Sequence, residues 1–106
     1  MPKYLIEATY TNDGIKGVQS AGGSSRVQAV SEALQAAGGS LESFYFGFGD
    51  YDAYVLADMP DNVSAAALAI SVNASGGAVV KTTVLLTPEE VDAAAQKTVG
   101  YRAPGS

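Results

Sequence analysis

The chain has 106 residues, 47% of them hydrophobic, and a net charge of −5. That length suits one domain rather than two, able to bury roughly 65% of the surface its unfolded chain exposes. With neither Cys nor His, it is excluded from disulfide and thiolate chemistry and from imidazole-based ligation or proton transfer. The six basic residues form no stripe that could neutralise a phosphate backbone, so nucleic acid is not an expected partner. No apolar run approaches the ~20 residues of a membrane helix, and "MPKYLIEATYT" lacks the regions of a secretory signal. A soluble, cytoplasmic protein without membrane contact is expected.

Lys3 to Tyr10, "KYLIEATY", reads as a strand that ends at the turn cluster "TNDG". Ile15 to Ser20 reads as an irregular helix weakened by Gly14 and Gly17, and "AGGSS" interrupts the chain. From Ser24 the pattern turns helical, with Val27, Val30, Leu34 and Ala37 on one face. Ser24 or Ser25 is the expected cap, Ser25 with Gln28 fits a capping box, and Gly38-Gly39 is the stop. Leu41 to Phe48 and Ala53 to Ala57 read as strands joined at Gly49-Asp50, where Gly and Asp tolerate positive φ. Asp61 is the expected cap of a helix whose inward face is Val63, Ala66, Ala67 and Ile70, ending at Gly76-Gly77. Ala78 to Leu86 is a fourth strand. Thr87-Pro88-Glu89-Glu90 starts a short last helix running to about Thr98. Residues 1–100 are expected to form one domain and 101–106 a loose tail.

The order β-α-β-β-α-β is the ferredoxin-like α+β arrangement: a four-stranded antiparallel sheet with the main helices on one face and an extra C-terminal helix. Side chains alternate across a strand. One parity set is almost wholly apolar: Tyr4, Ile6, Ala8; Phe44, Phe46, Phe48; Ala53, Val55, Ala57; Val80, Thr82, Val84, Leu86. It is expected under the helices. The other mixes Leu5, Leu41, Tyr45, Tyr54, Leu56, Val79 and Leu85 with Glu7, Thr9, Lys81 and Thr83. Such a face spans on the order of 300–400 Å² and is too apolar to be left to water. A second copy of the same face is its simplest cover; the alternative is the chain's own last helix.

Several constellations hold groups that could meet a ligand. Glu7 and Lys81 fall on neighbouring strands of the mixed face, as a pair enclosed with a ligand or as a plain cross-strand pair. Tyr45, Tyr51 and Tyr54 could line a pocket or an interface. Asp50 and Asp52 fit a turn better than a working carboxylate pair. Arg26, behind Gly22-Gly23-Ser24-Ser25, could hold a carboxylate or phosphate at a helix start. Gly47-Phe48-Gly49 is no dinucleotide fingerprint, since it joins strand to strand and Asp52 stands where the third glycine belongs. No metal-loop spacing is present, and no cofactor is expected.

"MPKYLIEATYT", "GGSLESFYFGFGDYDAYVLADMPD", "SAAALA" and "KTTVLLTPEEVDAAAQKTVGYRAPG" together resemble the GYD domain family over nearly the whole chain. The family takes its name from a signature like Gly49-Asp50-Tyr51-Asp52. The resemblance implies a ferredoxin-like fold of the dimeric α/β barrel group. That group includes cofactor-free monooxygenases, isomerases, haem-handling proteins and ligand-sensing domains, while the family itself implies no particular activity and no catalytic set. A homodimer or higher homo-oligomer that binds or senses a small molecule at the sheet face and hairpin is the leading expectation. A cofactor-independent enzyme using Glu7, Lys81 or a tyrosine, and a purely structural subunit, are the alternatives.

Overall fold

A computed structural model describes residues 1–105; Ser106, the end of the expected tail, lies outside them. The elements run β1 (Lys3–Tyr10), α1 (Asn12–Ala21), α2 (Gly23–Ala36), β2 (Ser40–Phe46), β3 (Ala53–Asp58), α3 (Asn62–Ser75), β4 (Ala78–Leu85) and α4 (Pro88–Ala95). The sheet order is β2-β3-β1-β4, every pair antiparallel. This is the expected α+β ferredoxin-like topology, with two helices in the first crossover.

The helix ends explain themselves locally. α1 is regular and begins earlier than the glycines suggest, because the Thr11 hydroxyl accepts a bond from the Gly14 N–H at 3.1 Å. Gly14 packs against the Gly77 carbonyl, so closely that a Cβ would collide with it. Gly22, at φ +85°, breaks the axis between α1 and α2 in a conformation open to glycine. The capping box expected from Ser25 and Gln28 does not form. α2 starts one residue before Ser24, with Gly22 as cap and no capping bond from a side chain, so both serines already lie in the helix. Gln28 instead donates to Glu32 one turn on, at 3.3 Å. Gly38, at φ +88°, stops α2 as expected, and the Gly39 N–H returns to the Leu34 carbonyl at 2.8 Å. Asp61 caps α3 by accepting from the Ser64 N–H at 2.8 Å. That bond, aided by the Ser64 hydroxyl, holds the Asp61 carboxyl below its usual range. At α4, Thr87 and Glu90 form the full capping box. The helix ends at Ala95, short of the expected Thr98.

The core sits between the helices and one face of the sheet. Tyr4, Ile6, Val55, Ala57, Leu34, Met59 and Ala65 form its buried centre. The hydroxyl of Tyr4 stays satisfied by donating to Asn62 Oδ1. The inward face of α2 is as expected, with Val30 and Ala37 packed beside Leu34.

Three packing expectations are corrected. α3 turns Ala65, Leu68, Ala69 and Val72 inward, while Val63, Ala66, Ala67 and Ile70 face outward, Ile70 being 68% exposed. "NVSAAALAIS" is apolar on every side, so periodicity did not fix the rotation of that helix. Leu41 lies on the core face, because the register steps from Leu41↔Ala57 to Ser43↔Leu56 and skips Glu42; a bulge of one residue reverses the parity before it. Phe48 is fully exposed beyond the end of β2, and Val84 and Leu86 overhang the helix layer half-exposed.

The β2–β3 loop is also longer than a tight hairpin. It is closed by the Gly47 N–H on the Asp52 carbonyl at 2.9 Å. Among the described residues, positive φ occurs only at Gly22, Gly38, Gly76 and Gly105, so the turn at Gly49-Asp50 does not use it.

α4 does not fold over the sheet. Every described residue from Leu86 onward is exposed, and the radius of gyration is 16.8 Å against about 13 Å for a compact chain of this length. Among the described residues no helix is long and apolar enough to cross a membrane.

Candidate functional site

The outer face of the sheet, turned away from the helices, gathers five of the residues singled out from the sequence. Tyr45 pairs with Tyr54, Tyr54 with Glu7, and Glu7 with Lys81, one row across all four strands. Leu5, Leu56 and Thr83 form the next row. Tyr51 reaches back from the loop and meets Tyr54 edge-to-face, with centroids 6.0 Å apart. The Lys81 ammonium lies 5.6 Å from the Tyr51 ring centroid, within cation–π range. Among the described residues the ion pairs are those of Lys3 with Glu42 and Asp58, at 2.9 and 3.0 Å. Glu7 and Lys81 face each other in register outside that set. The two carboxylates hold Lys3 above its usual range.

The two loop aspartates differ. Asp50 is exposed at the tip. Asp52 pins the loop to β1: its N–H donates to the Ala8 carbonyl at 2.8 Å, and its Oδ2 accepts from the Tyr10 N–H at 2.8 Å. Asp52→Ala would leave that N–H without its acceptor, at a cost of about 1–2 kcal/mol. The expected outcome is a lower urea midpoint and faster hydrogen exchange at Tyr10, with Tyr51 released from Lys81. Unchanged Tyr10 exchange would show that the carboxylate does not hold the loop.

Arg26 lies elsewhere, under the helices. There α2 and α3 flank an apolar cavity of about 120 Å³, floored by the core face of the sheet. Six alanines help to line it: Ala8, Ala29, Ala33, Ala53, Ala69 and Ala78. Their methyl groups are too short to interdigitate, which is why the layer between helices and sheet does not close. Larger apolar side chains, among them Val30, Phe44, Leu68, Val72 and Val80, make up the rest of the apolar wall, and Tyr10, Thr82 and Arg26 are its polar members. The cavity shares Arg26, Ala29, Ala33, Leu68, Val72 and Ala78 with a wider groove bounded by α1, also lined by Asp13. Arg26 Nε is buried without a hydrogen-bond partner, the only such side-chain atom among the described residues.

The sequence reading put its pocket at the sheet face and loop, and apart from Arg26 it missed this cavity. The signal lies in small side chains around it: Ala8 and Ala53, core-facing by strand parity, and Ala29 and Ala33 within two turns of Arg26.

No curated protein and no solved structure shows significant similarity to the chain. The family model of the GYD domain matches residues 4–95, from β1 to the end of α4. The chain belongs to the GYD domain family.

Proposed function

We propose that this protein is a small-ligand-binding module that self-associates through the outer face of its sheet. The observation that carries the reading is the cavity between α2 and α3. The cavity, about 120 Å³ and almost wholly apolar in its lining, opens into the adjoining groove past the exposed Ala29 and Ala33, so water inside it finds few hydrogen-bond partners and an apolar body would displace that water favourably. Its size suits one six-membered ring, since a dry apolar cavity of about 150 Å³ takes up benzene.

The outer face supports the second half of the proposal. Tyr45 and Val79 are largely exposed there, Leu5, Tyr54 and Leu56 are partly buried by their strand neighbours, and α4 does not shelter them. A second copy would enclose Glu7, Lys81 and the tyrosines, making that row a further place for a small molecule. A cofactor-independent enzyme is less favoured, because Glu7 and Lys81 stand on the opposite side of the sheet from the cavity.

The test is methyl-resolved NMR with neutral ring compounds such as benzamide and benzyl alcohol. Saturable shifts concentrated at Val30, Leu68, Val72 and Val80 are expected. Absence of saturation with every ring-sized probe would end the ligand-binding reading.

A further inference from the structure

The cavity has one feature that an apolar void does not need. Arg26 brings a guanidinium to its wall, and the Nε of that group is buried and unpartnered. A buried polar N–H without an acceptor is costly, and this one, the single unpartnered buried side-chain nitrogen or oxygen among the described residues, calls for an explanation. Helix stability does not supply one. Arg26 lies in the first turn of α2, where the helix dipole disfavours a cation. Nor does an ion pair, since the acidic group lining the adjoining groove, Asp13, forms none among the described residues. Packing of the aliphatic stem accounts for the carbon atoms of Arg26 but not for its nitrogen.

We infer that the cavity between α2 and α3 takes a small carboxylate with a ring-sized apolar body, its carboxylate accepting from the Arg26 guanidinium. The inference rests on the ligand-binding reading above and adds the chemical class. The alanine walls, with Phe44 and Leu68, receive the apolar body. Rotation of the Arg26 side chain would turn its Nε–H and a second N–H, the planar fork that matches a carboxylate, toward the bound group. The shared lining with the outer groove provides the way in.

Benzoate and its neutral isostere benzamide separate this from simple cavity filling. Moving a carboxylate into an apolar wall is unfavourable unless a cation meets it, so without Arg26 the preference should run toward benzamide. Titration calorimetry or methyl NMR on the intact chain is expected to show benzoate binding tighter by about tenfold or more, as befits a charge-assisted pair. In Arg26→Met, which keeps length and helix propensity, that preference should vanish while benzamide still binds. Arg26→Lys keeps the charge but lacks Nε, so it should retain only part of the preference, and it carries the comparison if the methionine variant folds poorly. Equal affinity for the two probes in the parent protein, or a benzoate preference undiminished in both variants, overturns the inference and leaves the cavity as a neutral ligand site. Failure of both probes to bind removes the inference together with the reading beneath it.

Discussion

Gly14→Ala is expected to unfold the protein at a temperature lower by about 10 °C or more. Two effects oppose each other. Alanine is the better helix former by ~1 kcal/mol, and Gly14 lies within α1. The new methyl, however, would occupy the space of the Gly77 carbonyl, which is backbone and cannot rotate away. That carbonyl also accepts the Thr11 N–H at 3.1 Å and the Thr11 hydroxyl at 3.2 Å, so displacing it disturbs the junction of β1, α1 and β4 together. Overpacking of a rigid site costs about 1–3 kcal/mol and occasionally more; a methyl driven into a backbone oxygen belongs at or above the top of that range, so about 2 kcal/mol or more remains after the helix gain. The steric effect therefore wins, and each kcal/mol lost moves the melting point by about 4–8 °C in a domain near this size. Gly17, with open space around its Cβ position in the same helix, is the control. Gly17→Ala should raise the melting temperature slightly. If the two variants melt alike, the close approach of α1 to Gly77 is not a constraint on the fold.

Leu56→Glu is expected to convert the protein to single chains. Leu56 lies on β3, paired with Leu5 on one side and Ser43 on the other, in the middle of the outer face. Within one chain it is covered mainly by its strand neighbours and lies outside the core cluster, so the substitution leaves the core intact and the far-ultraviolet dichroism should not change. In a face-to-face assembly the same carboxylate would be desolvated against apolar neighbours with no cation in register, and its own copy would be placed close to it by two-fold symmetry. A loss of association by about 100-fold or more is the expected consequence. Light scattering at micromolar concentration should return a multiple of the chain mass for the parent and the chain mass for the variant. A parent that is monomeric at 100-fold higher concentration would remove self-association through this face.

Much of the fold could be read from the sequence because its signals were local. The strands announced themselves by alternation and β-branched runs. Asp61 and the Thr87–Glu90 box marked helix starts that the structure bears out, and Gly38 and Gly76 marked helix ends. The failures share a physical origin in information that is not local. The rotation of α3 depends on which side finds the sheet, and "SAAALA" is apolar on every side. The side on which Leu41 emerges depends on a bulge at Glu42, set by pairing with β3. α2 begins at a glycine, so the serines behind it look like caps in the sequence but already lie in the helix. At the candidate sites, Tyr45, Tyr54, Glu7 and Lys81 could be placed on one face from parity and strand order alone, whereas their alignment in one row depends on the pairing register. The cavity at Arg26 could not, because a void is a property of two surfaces that fail to meet.

The alanine lining of that void has a consequence for how such a protein changes over time. Each small side chain is a separate adjustable wall. Exchanging one for valine or leucine would trim the chamber by a methyl or two at a chosen place, without disturbing a cap, a turn or a strand register. Preference for one molecule over a slightly larger relative could then drift in short steps while the scaffold stays as it is.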